Sequence, residues 1–144
     1  MNRDEGAYYF YSKKMKACKI TGKVTSGTGK GAYYVNKYKK LFHKELGFLP
    51  YEGTLNLEVD ETELKKFLKN IKKITIEEFS DKEGTFGAVH CYPAKIENLE
   101  KIKCAIVIPE KTKHKRSTIE VICEKHLREA LNIKDDSRIN ISNQ

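Results

Sequence analysis

Apolar and polar positions alternate through Cys18-Lys19-Ile20-Thr21-Gly22-Lys23-Val24-Thr25, a period of two that predicts a strand. Ala32 to Val35 can open a second strand. Tyr38, Leu41, Phe42 and Leu46 then recur at helical spacing, so 37–46 reads as an amphipathic helix stopped by Gly47. Thr54 to Val59 alternates again. Asp60 follows as a helix cap, with Glu63 three residues on as its capping-box partner, and Leu64, Phe67, Leu68 and Ile71 line one face. Lys73–Phe79 and Phe86–Tyr92 read as strands around a loop at Ser80–Thr85. Ala105 to Ile108 is wholly apolar and suits a strand buried on both faces. Thr118–Ile122 alternates, Glu124–Leu131 reads as a short helix, and Arg138–Ile141 as a last strand. Many short strands with a few short helices imply a mainly β barrel over 17–144, behind a tail of residues 1–16 that shows no clear period.

Composition changes this picture little. At 144 residues the chain buries a core without staples. Its formal net charge of +8 points to a polyanionic partner. Most of the lysine, such as Lys65, Lys66, Lys69, Lys72 and Lys73, lies on helical stretches with an apolar face opposite, where a solvated surface explains it. Cys18, Cys91, Cys104 and Cys123 are far apart and form no C-x-x-C pair, so reduced, partly buried thiols are expected and a zinc site is not. No apolar run is long enough to span a bilayer and none resembles a signal peptide, so a cytoplasmic protein with no membrane partner is expected.

Two segments carry candidate chemistry. Ser26-Gly27-Thr28-Gly29-Lys30-Gly31 alternates glycine with polar residues, and glycine lets successive backbone N–H groups converge on an anion. It is not a Walker motif: no G-K-[ST] ends it, and no helical pattern follows at once. Taken alone it reads as a hairpin loop. Pro50-Tyr51-Glu52-Gly53-Thr54-Leu55-Asn56-Leu57 sets a Pro/Gly turn against a strand. Thr54 and Asn56 then share one face, where a hydroxyl and a carboxamide oxygen can meet one hard cation, while Leu55 and Leu57 face a core. Taken alone this is a half-buried strand.

In their order along the chain, these segments resemble the archaeal CTP-dependent riboflavin kinases. The resemblance runs from about Lys19 to about Ser142. It is carried by Gly22–Gly31, by Leu46-Gly47-Phe48 running into Pro50–Asn56, by Ala105–Pro109 with Lys111, Thr112 and His114, and by Ile119–Ile122 leading to His126-Leu127-Arg128-Glu129. It implies a six-stranded cradle-loop β-barrel (RIFT-related) and transfer of the CTP γ-phosphate to riboflavin, giving FMN and CDP. It further implies that Thr54 and Asn56 are Mg2+ ligands and that Thr28, Gly29, Lys30, Gly31, Ala32 and Tyr33 contact the nucleotide. Lys125, His126, Leu127 and Arg128 would form a second nucleotide-contacting segment, and Thr112 and Glu120 would contact the flavin. The family carries Arg where this chain has Ala32, which removes a phosphate or base contact. Glu120 alternates with Ile119 and Val121, and as the candidate catalytic group it can orient the riboflavin 5′-hydroxyl or accept its proton. His114 reads as polar surface and His90 as a satisfied strand residue. A monomer is expected.

Two other readings stay open. A basic β barrel can bind nucleic acid through tyrosine platforms such as Tyr8, Tyr9, Tyr11, Tyr33 and Tyr34, but that picture gives the glycine segment and the Thr54/Asn56 pair no role. A barrel of the same fold that has lost catalysis and senses flavin or nucleotide is the other, kept open by Ala32.

Overall fold

Alternation along the strands becomes a closed barrel with a second apolar layer outside it. The structure is a computed structural model and describes residues 15–27, 29–97, 101–111 and 117–144. Strand β1 (Lys19–Thr25) turns Ile20 and Val24 inward, and β2 (Leu55–Glu58) does the same with Leu55 and Leu57. β3 (Ile74–Ile76), β4 (Phe79–Asp81), β5 (Gly84–Phe86), β6 (Val89–Glu97), β7 (Ile102–Pro109), β8 (Thr118–Cys123) and β9 (Arg138–Ser142) follow. The main sheet runs β3-β6-β7-β8-β2-β1-β9, and β9 pairs back onto β6 (Ile96 opposite Ile141). Six antiparallel strands therefore close on themselves, which removes the sheet edges that an open sheet would expose.

β6 serves two partners along one edge. Val89–Cys91 pairs with β3 and Lys95–Glu97 with β9. Pro93 falls between these two ladders, which is where a residue without an N–H fits a long strand. β7 is buried on both faces: Cys104 and Ile106 point into the barrel, Ala105 and Val107 into the outer layer. This double burial accounts for its unbroken apolar run.

Helix α1 (Gly31–Leu46) supplies the outer layer, burying Val35, Tyr38 and Phe42 against Ile76, Val89, Ala105, Val107 and Ile122. The β4–β5 hairpin packs on its flank. There Phe79 stacks on Phe86 with centroids 5.3 Å apart, Tyr38 Oη donates to Gly87 O at 2.8 Å, and Lys37 pairs with Asp81 and Glu83. Helix α2 (Glu61–Leu68) is capped as its sequence predicts, with Asp60 Oδ1 accepting from Glu63 N–H at 2.9 Å. Its Leu64 and Phe67, with Ile71 beyond, join the barrel core. Helix α3 (Leu127–Ala130) is a single turn. Among the described residues no helix is long and apolar enough to cross a membrane.

Several sequence expectations need correction. Ala32–Val35 is not a strand but the first turn of α1: Tyr34 N–H donates to Lys30 O, and Val35 heads the Val35/Tyr38/Phe42 stripe. Burial of that stripe overrides the strand preference of Tyr33-Tyr34-Val35. The expected loop at Ser80–Thr85 is largely the β4–β5 hairpin. The expected strand Phe86–Tyr92 gives way to β6, which starts at Val89 and continues through Pro93 to Glu97. The helix expected over Glu124–Leu131 shrinks to α3, because Lys125 N–H and O both bond the Cys123 thiol and His126 is extended. The tail expected over 1–16 lies outside the described residues up to residue 14.

Candidate functional site: an oxygen cluster between two cavities

The β2–β8 ladder builds the centre of the site. Leu55 lies opposite Val121 and Leu57 opposite Ile119, all in the barrel core. Asn56 and Glu120, also directly opposite each other, therefore share the other face. Thr54, the residue before β2, completes the group. Its hydroxyl donates to Glu120 Oε1 at 3.0 Å and stands 3.4 Å from Asn56 Oδ1. Three half-buried oxygen-bearing side chains thus converge.

The glycine segment is packed onto this cluster. A Cβ on Gly31 would fall 2.5 Å from Thr54 Oγ1, and one on Gly27 would fall 2.8 Å from Asn56 Oδ1. At Gly31, where Thr54 N also stands 3.0 Å away, close approach calls for glycine, and at Gly27 a larger residue would displace the Asn56 side chain. α1 then begins at once, contrary to the expectation that no helix follows. Its N-cap, Lys30, makes no side-chain capping bond, and its first turn holds no acidic residue. First-turn N–H groups, which a helix cannot pair internally, and the positive end of the helix dipole therefore lie beside Thr54, an arrangement that favours an anion.

One cavity of about 230 Å³ opens on the Asn56/Glu120 side. Its walls are mostly apolar, from α2 (Leu64, Leu68) and from Tyr92, Val107, Ile108 and Ile119, with His90, Glu61 and Lys65 as polar points. A second cavity of about 220 Å³ opens on the Thr54 side, bounded by Tyr51–Leu55 and by Lys125–Arg128. There the Tyr51 and His126 rings stack, with centroids 4.8 Å apart and planes 9° from parallel. Tyr51 N–H donates to Cys123 O at 2.7 Å, tying the Pro/Gly turn to β8. Glu52 ties the same turn to α1. It accepts from Lys39 (2.9 Å) and Asn36 (3.3 Å), hydrogen bonds that hold its carboxyl below the usual carboxylate range, Lys39 contributing most.

Most residues singled out from the sequence come together here. Thr54, Asn56 and Glu120 form the cluster. Gly29, Lys30, Gly31, Ala32 and Tyr33 run from the loop into the first turn of α1. Lys125, His126, Leu127 and Arg128 line the second cavity, although the Leu127 side chain is buried with the barrel core. Thr28, Thr112 and His114 lie outside the described residues. His90, expected as an ordinary strand residue, lines the first cavity with its Nδ1 3.1 Å from Thr75 Oγ1. Tyr51 and Asp135 escaped the sequence, and Tyr34 figures there only as a stacking platform for nucleic acid. The Tyr34 hydroxyl is buried beneath α1 with no hydrogen-bond partner among the described residues. Burial, then the fields of Tyr38, Glu120 and Cys91, push its ionisation well above the usual tyrosine range.

The donor set of the cluster is a hydroxyl, a carboxamide and a carboxylate, all oxygen. It fits a hard divalent cation that draws further ligands from phosphates and water. Among the described residues no group of three or more His, Cys, Asp or Glu offers another metal site.

The family model labelled CTP-dep_RFKase, described as a domain of unknown function (DUF120), matches residues 24–142. Relatives named riboflavin kinase include one from Thermoplasma acidophilum, 42% identical over 126 residues, covering 85% of this chain and 56% of the relative. Another from Pyrococcus furiosus is 45% identical over 123 residues, covering 85% and 57%. A third from Methanosarcina acetivorans is 38% identical over 133 residues, covering 90% and 55%. The chain thus spans about half the length of the curated relatives it matches.

Proposed function

The chain belongs to the CTP-dependent riboflavin kinase family, and from that membership we propose that it transfers the γ-phosphoryl group of CTP to the 5′-hydroxyl of riboflavin, giving FMN and CDP. The observation that carries this reading is the Thr54–Asn56–Glu120 cluster at the junction of two unlike cavities. Phosphoryl transfer between two bound substrates needs such a junction, with charge stabilisation where they meet.

In this reading riboflavin occupies the apolar cavity and CTP the polar one. The phosphates lie against the glycine loop and the N-terminus of α1. Thr54 and Asn56 would hold Mg2+, which when bound would supply charge neutralisation to the phosphate oxygens. Lacking strong carboxylate ligation, the pair binds the ion together with the nucleotide. The riboflavin 5′-oxygen forms a bond to the γ-phosphorus, the bond from that phosphorus to the β–γ bridging oxygen breaks, and CDP departs with the electron pair. Glu120 borders the apolar cavity beside Asn56, where it can orient the hydroxyl and accept its proton. Loose phosphoryl transfer demands little base assistance, so orientation is the larger of the two roles. Glu120→Gln separates them. A kcat mostly retained with a raised riboflavin KM leaves orientation alone, and a collapsed kcat assigns the proton transfer.

The direct test measures FMN from riboflavin with magnesium and CTP, ATP, GTP or UTP in parallel. FMN from CTP alone supports the full reading, and FMN from ATP keeps the reaction but replaces the donor. Riboflavin binding with no FMN from any donor turns the reading to a sensor. No riboflavin binding at all moves a nucleic-acid module to the front.

A further inference from the structure

The glycine loop leaves β1 at Ser26, where ladder bonds end, and a single carboxylate holds it there. Ser26 Oγ donates to Asp135 Oδ2 at 2.8 Å. Arg128 Nη2 donates to Asp135 Oδ1 at 2.6 Å and to Thr25 O at 3.2 Å. Asp135 thus joins the start of the glycine loop to the guanidinium that lines the polar cavity. The turn presenting it is fixed from both sides. Asp136 N–H donates to Val24 O at 2.8 Å, Val24 N–H to Ser137 O at 2.7 Å, and Ile133 N–H to Arg128 O at 3.0 Å. Asn132 and Asp136 take φ of 52° and 73°, left-handed conformations that Asn and Asp tolerate better than most side chains.

A carboxylate close to a polyphosphate site repels its ligand, so its presence calls for a compensating role. Asp135 is exposed, which lets water and salt screen the repulsion. Its hydrogen bond to Arg128 is short and directional, and it is less weakened by that screening than the long-range repulsion. Among the described residues Arg128 uses only Nη2 in these contacts, leaving Nη1 and Nε for an incoming anion.

We propose that Asp135 is a positioning residue for the nucleotide: it sets both the root of the glycine loop, through Ser26, and the Arg128 guanidinium. The proposal rests on the kinase reading, and its test is chosen to be separable from that reading. Asp135→Ala and Asp135→Asn are compared with the unaltered protein in FMN formation, with CTP and riboflavin varied separately. CTP affinity in magnesium is measured by titration calorimetry, and thermal melting checks the fold. In Asp135→Ala the CTP KM and Kd rise about tenfold, while kcat and the riboflavin KM stay within about twofold. Asp135→Asn, which still accepts from Ser26 but has lost the charge facing Arg128, falls between. It also serves if the alanine variant does not fold. In an Arg128→Ala background Asp135→Ala has a smaller effect, because only the Ser26 contact is then left to lose. Unchanged CTP affinity in both variants, equal losses for the two substrates, or Asp135 and Arg128 effects that simply multiply would overturn the proposal. If the unaltered protein binds CTP but makes no FMN, the kinase reading fails and the affinity series still decides Asp135. No CTP binding overturns both.

Discussion

The two cavities are of similar size but are made in different ways. The one beside Asn56 and Glu120 is walled by side chains from α2 and four barrel strands, β2, β6, β7 and β8, elements far apart in sequence. The one beside Thr54 is walled by Val121 and Cys123 of β8 and by two short stretches, Tyr51–Leu55 and Lys125–Arg128, whose conformation is set by main-chain bonds such as Tyr51 N–H to Cys123 O and by the Cys123–Lys125 thiol contacts. The first is defined by shape and apolar area, the second by where backbone and charge are held. Truncation of an apolar wall is therefore expected to damage the first, whereas crowding of the backbone or loss of a charged contact damages the second.

The sharpest test strikes the junction that both share. Thr54→Val or Asn56→Leu lowers kcat at least about 100-fold while riboflavin binding and the melting temperature stay near those of the unaltered protein. Removing magnesium with a chelator gives the same pattern, read as FMN formation against flavin fluorescence quenching. Full activity in either variant would remove the junction from the chemistry. Next in size is Gly31→Ala, whose added methyl would meet Thr54 Oγ1 at 2.5 Å and Thr54 N at 3.0 Å. We expect kcat/KM for the nucleotide to fall about 30-fold with the riboflavin Kd unchanged. Equal losses on both sides would erase the distinction between the cavities. Leu68→Ala works on the other side and raises the riboflavin KM about fivefold, the nucleotide KM being unaffected in initial-rate measurements.

The smallest effect concerns the thiols behind the cavities. Burial, then the field of Glu45, pushes Cys91 up to about 12, and burial also raises Cys104 and Cys123. Burial raises Cys18 as well, so access rather than ionisation separates it from the three buried thiols. Iodoacetamide at neutral pH is expected to modify Cys18, which is half-buried, ahead of the other three, as mass spectrometry of the native and unfolded protein would show.

Much of the barrel was legible in the sequence because alternation survives wherever one face is buried. β1, β2 and β8 lie within about a residue of their expected bounds, and Asp60 caps α2 as read. Pro93 hid the second half of β6, since proline reads as a breaker unless the gap between β3 and β9 is known. The start of α1 was hidden by Tyr33-Tyr34-Val35, a run that favours strands until the layer it covers is in view. Alternation already put Thr54 and Asn56 on one face and the resemblance added Glu120, but the contact of Glu120 with that pair depends on the β2–β8 register, a long-range pairing that no local pattern encodes. Asp135 had no signal at all: one acidic residue in a polar turn looks like any other.

That register has a consequence for how the protein reaches its working form. β2 is only four residues long, and all four pair with β8. A slip of β2 by one position would turn Leu55 and Leu57 out to water and drive Asn56 into the barrel against Ile119 and Val121. The greasy side of each strand thereby proofreads the alignment of the polar side. A misaligned chain forfeits its core before it can mature, so stable but inert impostors are scarce, and recovery of activity on refolding should track recovery of the barrel itself.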